Sequence, residues 1–161
     1  MRFDKQQISQ ICKLLTAHLR DEDFPIDFEK ILNIDQRVTI FNSSFEDDNV
    51  SIVKKVSSYE IYYNRNQSPN RQKFTVAHEL HIVLHMLNES KKVDMRMRAN
   101  YTKEHFEESE ANNFASCLLM PANIVKKKIK DLKSSQDLAL FFVSKQAMDI
   151  RLFNLFDTLD D

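Results

Sequence analysis

Residues 78–85 read H-E-L-H-I-V-L-H, which puts three of the chain's five histidines and one glutamate into two helical turns. Zinc takes neutral imidazoles and carboxylates in a tetrahedron, and a catalytic site leaves one position open to water. Histidines four apart on a helix point the same way and can reach one ion. A glutamate directly after the first can hold the metal's water and accept its proton, as in the H-E-x-x-H pattern. Here the second histidine, His81, follows His78 by three residues rather than four. At about 100° per residue, His78, His81 and His85 still share a face, but Glu79 lies about 160° from His81. One more residue between Leu80 and His81 would reduce that angle to about 60°. The chain contains no glycine, although ordinary usage of about 7% would give roughly eleven. A glycine lost between Leu80 and His81 would account for the short spacing. His78 and His81 are the expected metal ligands and Glu79 the expected base. His85 is expected to support the ligands rather than to join them.

Two histidines do not complete a site. The segment Lys103 to Met120 reads as a helix with an apolar stripe of Phe106, Ala111, Phe114, Cys117 and Leu118. Glu107 and Glu110 both fall within that stripe, whereas Glu108 points away. A carboxylate on a buried face is costly unless it is paired or metal-bound, so either acid can supply the third ligand. An ion pair or a helix-start charge suits Glu107 better, because it stands nearer the N-terminal end.

Several elements must position these groups. Apolar residues Ile8, Ile11, Leu14, Leu15 and Leu19 mark an amphipathic helix over Phe3 to Leu19. Phe24 to Leu32 reads as a turn and short helix after Pro25. Arg37 to Phe41, Val50 to Val56 and Tyr59 to Tyr63 are β-rich runs separated by polar turn-like clusters. They predict a small antiparallel three-stranded sheet packed on helices. The histidine helix spans Arg71 to Leu87, and the acid-bearing helix stops at Pro121. A lysine-rich helix over Ala122 to Lys133 and two shorter ones, Ser135 to Phe142 and Ser144 to Leu155, follow, with Ser144 as an N-cap. The fold class is α+β. Residues 1–121 are expected to form the main domain and residues 122–161 a helical segment packed on it.

Composition narrows the function. A net charge of −1 with 29% charged residues gives no electrostatic case for nucleic acid. Lys126, Lys127, Lys128 and Lys130 read as a solvated helix face, and direct nucleic-acid binding is not expected. Met1 to Gln10 has no apolar leader core, and no run approaches a membrane span. Cys12 and Cys117 read as buried free thiols. The expected location is the cytoplasm, with no membrane partner.

Three ordered blocks resemble the ImmA/IrrE family of metallopeptidases. Arg71-Gln-Lys-Phe74-Thr75-Val-Ala77-His78-Glu79-Leu80-His81 resembles its R-x-x-F-T-x-A-H-E-L-G-H block. Glu110-Ala111-Asn112-Asn113-Phe114-Ala115 with Leu118-Leu119-Met120-Pro121 resembles its E-A-N-x-F-A-x-x-L-L-M-P block. Leu138-Ala139, Phe142, Val143-Ser144, Ala147-Met148 and Arg151-Leu152 resemble its tail, and Gln136 to Leu152 also resembles a helix-turn-helix. The family usually has glycine before the second histidine and between Phe142 and Val143. Both are absent here, each as a one-residue gap. The resemblance implies a zincin-like fold and a gluzincin-like zinc site with His78, His81 and Glu110 as ligands and Glu79 as general base. Manganese or another divalent ion suits the same donors. It also implies that the strand through Tyr62, Tyr63 and Asn64 borders the cleft as an edge to which a substrate chain adds. The oxyanion stabiliser is unmarked, although Tyr101 and His105 stand in the right segment. The implied substrate is a helix-turn-helix repressor of a prophage, mobile element or stress response, whose cleavage relieves repression.

Overall fold

The computed structural model describes residues 3–32, 36–44, 51–89, 108–131, 141 and 143–156. Helix α1, Lys5–Thr16, starts at a capping box: the Gln7 amide donates to Asp4 Oδ1 and the Asp4 amide to Gln7 Oε1. Ile8 and Cys12, four apart, are buried. The helix stops at Thr16 rather than Leu19. Leu14, expected on the apolar face, is 75% exposed. A short 3-10 turn, Asp21–Asp23, and helix α2, Phe28–Leu32, follow.

Strands β1, Val38–Ser43, β2, Ser51–Lys54, and β3, Tyr59–Asn64, form one sheet in the order β1-β3-β2. A tight turn, in which the Lys55 amide donates to Ser58 O, joins β2 to β3 antiparallel. β1 pairs with β3 in parallel, Val38 opposite Tyr59 through Ser43 opposite Asn64. The sheet is therefore mixed, which corrects the antiparallel expectation while leaving the α+β class in place. Side-chain alternation identifies a strand's buried face but carries no strand direction. The direction follows from the chain path, which brings β3 in between β1 and β2. Val38, Tyr59 and Ile61 turn into the core.

Helix α3 runs Pro69–Glu89. Proline at its first position needs no amide partner there, and Ser68 Oγ accepts the Arg71 amide one turn on. From Val76 to Val83 every residue is buried, as befits a central helix. Helix α4, Glu108–Leu119, packs against α3 on one side and α1 on the other, and α3 also lies on β3. Pro121 follows its end, and helix α5, Ala122–Asp131, begins at once. Helix α6, Lys145–Phe156, starts where Ser144 Oγ accepts the Ala147 amide, the expected cap.

Ile124, Val125, Phe141, Val143 and Met148 share one buried cluster with Ile8, Ile61, Leu80 and Phe114. Arg151 Nε donates to Met120 O, tying α6 to the end of α4. Cys12 and Cys117 are buried free thiols, and burial pushes both thiol pKa values up. Among the described residues no helix is long and apolar enough to cross a membrane.

Ile61 is fully buried on the central strand. Ile61→Ala should destabilise the chain by about 2–5 kcal/mol. Urea unfolding followed by circular dichroism measures this, and a midpoint equal to that of the wild type would contradict the assigned core.

Candidate metal centre

Adjacent helices build the site. α3 contributes His78, Glu79, His81 and His85, and α4 contributes Glu110 and Asn112. His81 is wholly buried, and His78, Glu79, His85 and Glu110 are nearly so. His81 and His85 are four apart, and their rings meet edge to face at 4.6 Å. Glu110 Oε1 lies 3.2 Å from His81 Nε2 and 2.9 Å from His85 Nε2. One ligand atom from each of the three can be chosen so that all lie within 4.8 Å of one another. Phe114 of α4 backs the His81 ring at 5.1 Å. From the other side the Phe3 amide donates to Glu110 Oε1 at 3.1 Å.

Two imidazoles and one carboxylate are a donor set suited to zinc and to several other divalent ions. Zinc bonds of about 2.0–2.1 Å in a tetrahedron separate ligand atoms by roughly 3.3 Å, close to the two nitrogen–oxygen distances seen here. The residues present therefore fit a metal. Burial, and next the neighbouring His85, hold the His81 pKa down to about 4 against an ordinary 6.5, while Glu110 pulls the other way. His81 is thus neutral near pH 7, with a ring lone pair to offer.

The expected residues fall out as follows. His81 and Glu110 come together. The third member of their cluster is His85, while His78 Nδ1 lies 3.2 Å from Asn112 Oδ1. α3 runs through Leu80 and His81 as one helix, and along it the spacing of three falls on His78 and His81 and the spacing of four on His81 and His85. Glu79 is buried on the same helix, about 160° around it from His81. Glu107, Tyr101 and His105 lie outside the described residues.

The strand expectation needs correction. β3 is the middle strand, and Tyr62 is paired on both sides, with Phe41 and with Ser51. It offers no open edge there. Tyr63 and Asn64 are paired with β1. Asn64 is buried, and its Oδ1 accepts the Asn66 amide in the turn that ends the strand. Among the described residues the sheet edges are β1 and β2.

Two contributors were not singled out from the sequence, and a third, His85, was expected to support the ligands rather than to join the cluster, although H-x-x-x-H from His81 to His85 was the available signal. Asn112 stood inside the E-A-N block without a role. Phe3 carried no signal at all, because its contact spans 107 positions.

The His81 shift fixes the sign of a pH dependence. The unfolded chain takes up a proton near 6.5 that the folded chain resists until about 4. The contribution is fully present above pH 6.5 and is lost as pH falls toward 4, by about 3 kcal/mol at most. Urea midpoints of the metal-free chain should therefore drop between pH 7.5 and 4.5, and less steeply in His81→Gln. Equal slopes in the two proteins would refute this.

Comparison with known proteins follows the same lines. The domain family described as IrrE N-terminal-like, Peptidase M78, matches residues 35–153. No curated protein matches the chain. Among solved structures, a Mycobacterium tuberculosis transcriptional regulator is similar with a TM-score of 0.65 at 15% identity, over 92% of this chain and 46% of that one. At that identity the likeness concerns the fold, and this chain spans about half the regulator's length. With the family matched across both site helices and the sheet, the chain belongs to the IrrE N-terminal-like, Peptidase M78 family, the ImmA/IrrE metallopeptidases that its three blocks resemble.

Proposed function

We propose that this chain is a zinc-dependent endopeptidase that acts in the cytoplasm on a helix-turn-helix repressor and relieves repression in a prophage, mobile element or stress response. The observation that carries the metal-dependent part is the buried His81–His85–Glu110 cluster. The repressor rests on the family alone. His81 and Glu110 belong both to this cluster and to the ligand set the family implies. The geometry favours His85 as the third ligand, with His78 held against Asn112. Bound zinc, or manganese in its place, would acidify a water and polarise the scissile carbonyl. Glu79 would take the proton of the attacking water and deliver it to the leaving amine. Residues 1–121 would form the catalytic domain, and from the segment beyond it Ile124, Val125, Phe141, Val143 and Met148 join the same buried cluster. Lys127 pairs with Asp21 on the surface.

A second reading has its own support. Glu79 leaves the helix about 160° from His81, a poor direction for a water shared with the ligands. A relative that binds metal and a repressor but does not cut would show this arrangement.

Metal analysis and a cleavage assay on a purified helix-turn-helix repressor separate the two. The wild type should hold about one zinc per chain, and His81→Ala should lose it. His85→Ala should weaken zinc more than His78→Ala; the reverse order would restore the ligand set the family implies. Glu79→Gln should keep zinc while cleavage falls by about 10²–10⁴-fold. Undiminished cleavage by Glu79→Gln would rule out the base. Zinc bound by a wild type that never cuts would leave the second reading standing.

A further inference from the structure

Phe3 immediately precedes the cap of α1, yet it contacts the cluster on the other two helices. Its amide donates to Glu110 Oε1, the same oxygen that faces both imidazoles. Its ring lies tilted over His85 at 4.3 Å between centroids and edge-on to His81 at 6.2 Å. One residue thus reaches all three members of the cluster. Phe3 is only half-buried, so it forms the outer wall of the site rather than part of its floor.

α1 is anchored independently of Phe3: Ile8 and Cys12 are buried, and Cys12 Sγ donates to Phe114 O of α4. The capping box ends the helix at Asp4, whose backbone is extended at φ −71° and ψ 168°. Rotation about that one residue moves Phe3 without unwinding α1. Among the described residues Phe3 makes one hydrogen bond and two ring contacts to the cluster and packs at the margin of the apolar core. Local openings of that size occur well below the cost of global unfolding.

From this geometry we infer that Phe3 is a removable plug on the His81–His85–Glu110 cluster. Seated, it shields His85 and engages the Glu110 oxygen. Lifted, it admits a divalent cation and clears space for a peptide. Gating scales with the fraction of molecules in the open state, so weakening the plug speeds entry.

The inference rests on the reading of these three residues as ligands, and the test has two readouts to keep them apart. The metal-free full chain is mixed with zinc alone in stopped flow. Separately, diethylpyrocarbonate acylation of His85 is followed by mass spectrometry without metal. Phe3→Ala should raise both rates by about tenfold, with an unchanged circular dichroism spectrum. Asp4→Ala, which loosens the capping box and leaves the ring in place, should raise both to a smaller degree.

Faster acylation with no zinc taken up by any variant would support the plug and sink the ligand reading. Zinc uptake and acylation both at the wild-type rate in Phe3→Ala would sink the plug and leave the ligand reading intact.

Discussion

One buried carboxylate sets the terms for the rest of the structure. Glu110 sits on α4 among Ala111, Phe114 and Leu118, all out of solvent. An ionised carboxylate in such surroundings costs several kcal/mol unless partners compensate. Here the partners come from two other elements: the amide ahead of α1 and the imidazoles of α3. Three segments distant in sequence therefore converge on one oxygen. That convergence fixes how far α3 is rotated about its own axis relative to α4. The apolar core alone fixes this weakly, because α3 is buried all round from Val76 to Val83. Burial on every side, taken alone, is compatible with several rotational settings of a helix. The polar cluster selects one.

The pairings along the two helices follow from that setting. His85, late in α3, meets Glu110, early in α4, while His78, earlier in α3, meets Asn112, later in α4. The order reverses, as it does for antiparallel neighbours. His81, between the two, reaches Glu110 as well. Imidazoles four apart stand about 40° from eclipsed on the helix, and three apart about 60° on the other side. The lower angle falls on His81 and His85, so this is the pair that can converge on a single atom of α4.

Much of this was legible in the chain. The two site helices, the cap at Ser144 and the three strands follow from local periodicity and capping chemistry, whereas periodicity leaves Glu107 and Glu110 both open and only the family resemblance points to Glu110. Three things were not. The mixed sheet depends on β3 passing between β1 and β2, and alternation of side chains says nothing about direction. The ends of α1 depend on where the core stops, so Leu14 keeps helical spacing and yet stands in solvent. The promotion of His85 depends on taking the spacing of three literally. The resemblance to a family with a glycine before the second histidine directs attention to His78 and His81. The backbone of this chain instead offers the spacing of four one turn later.

That last point separates two demands placed on one helix. Metal binding needs two imidazoles in phase with Glu110, and any pair four apart on the correct face satisfies it. Proton transfer needs an acid in a definite position relative to the same pair. The spacing after Leu80, one residue shorter than in the family's block, leaves the first demand satisfied, because His85 stands four beyond His81 on the same side of that point. It disturbs the second, because Glu79 lies on the other side and carries the whole change of phase. A shift of one residue therefore acts selectively on the proposed site: it leaves the His81–His85–Glu110 cluster intact and moves Glu79 out of phase with it. In the proposed function, holding a cation and cutting a peptide would be separable, and Glu79, not the histidines, is where they would part.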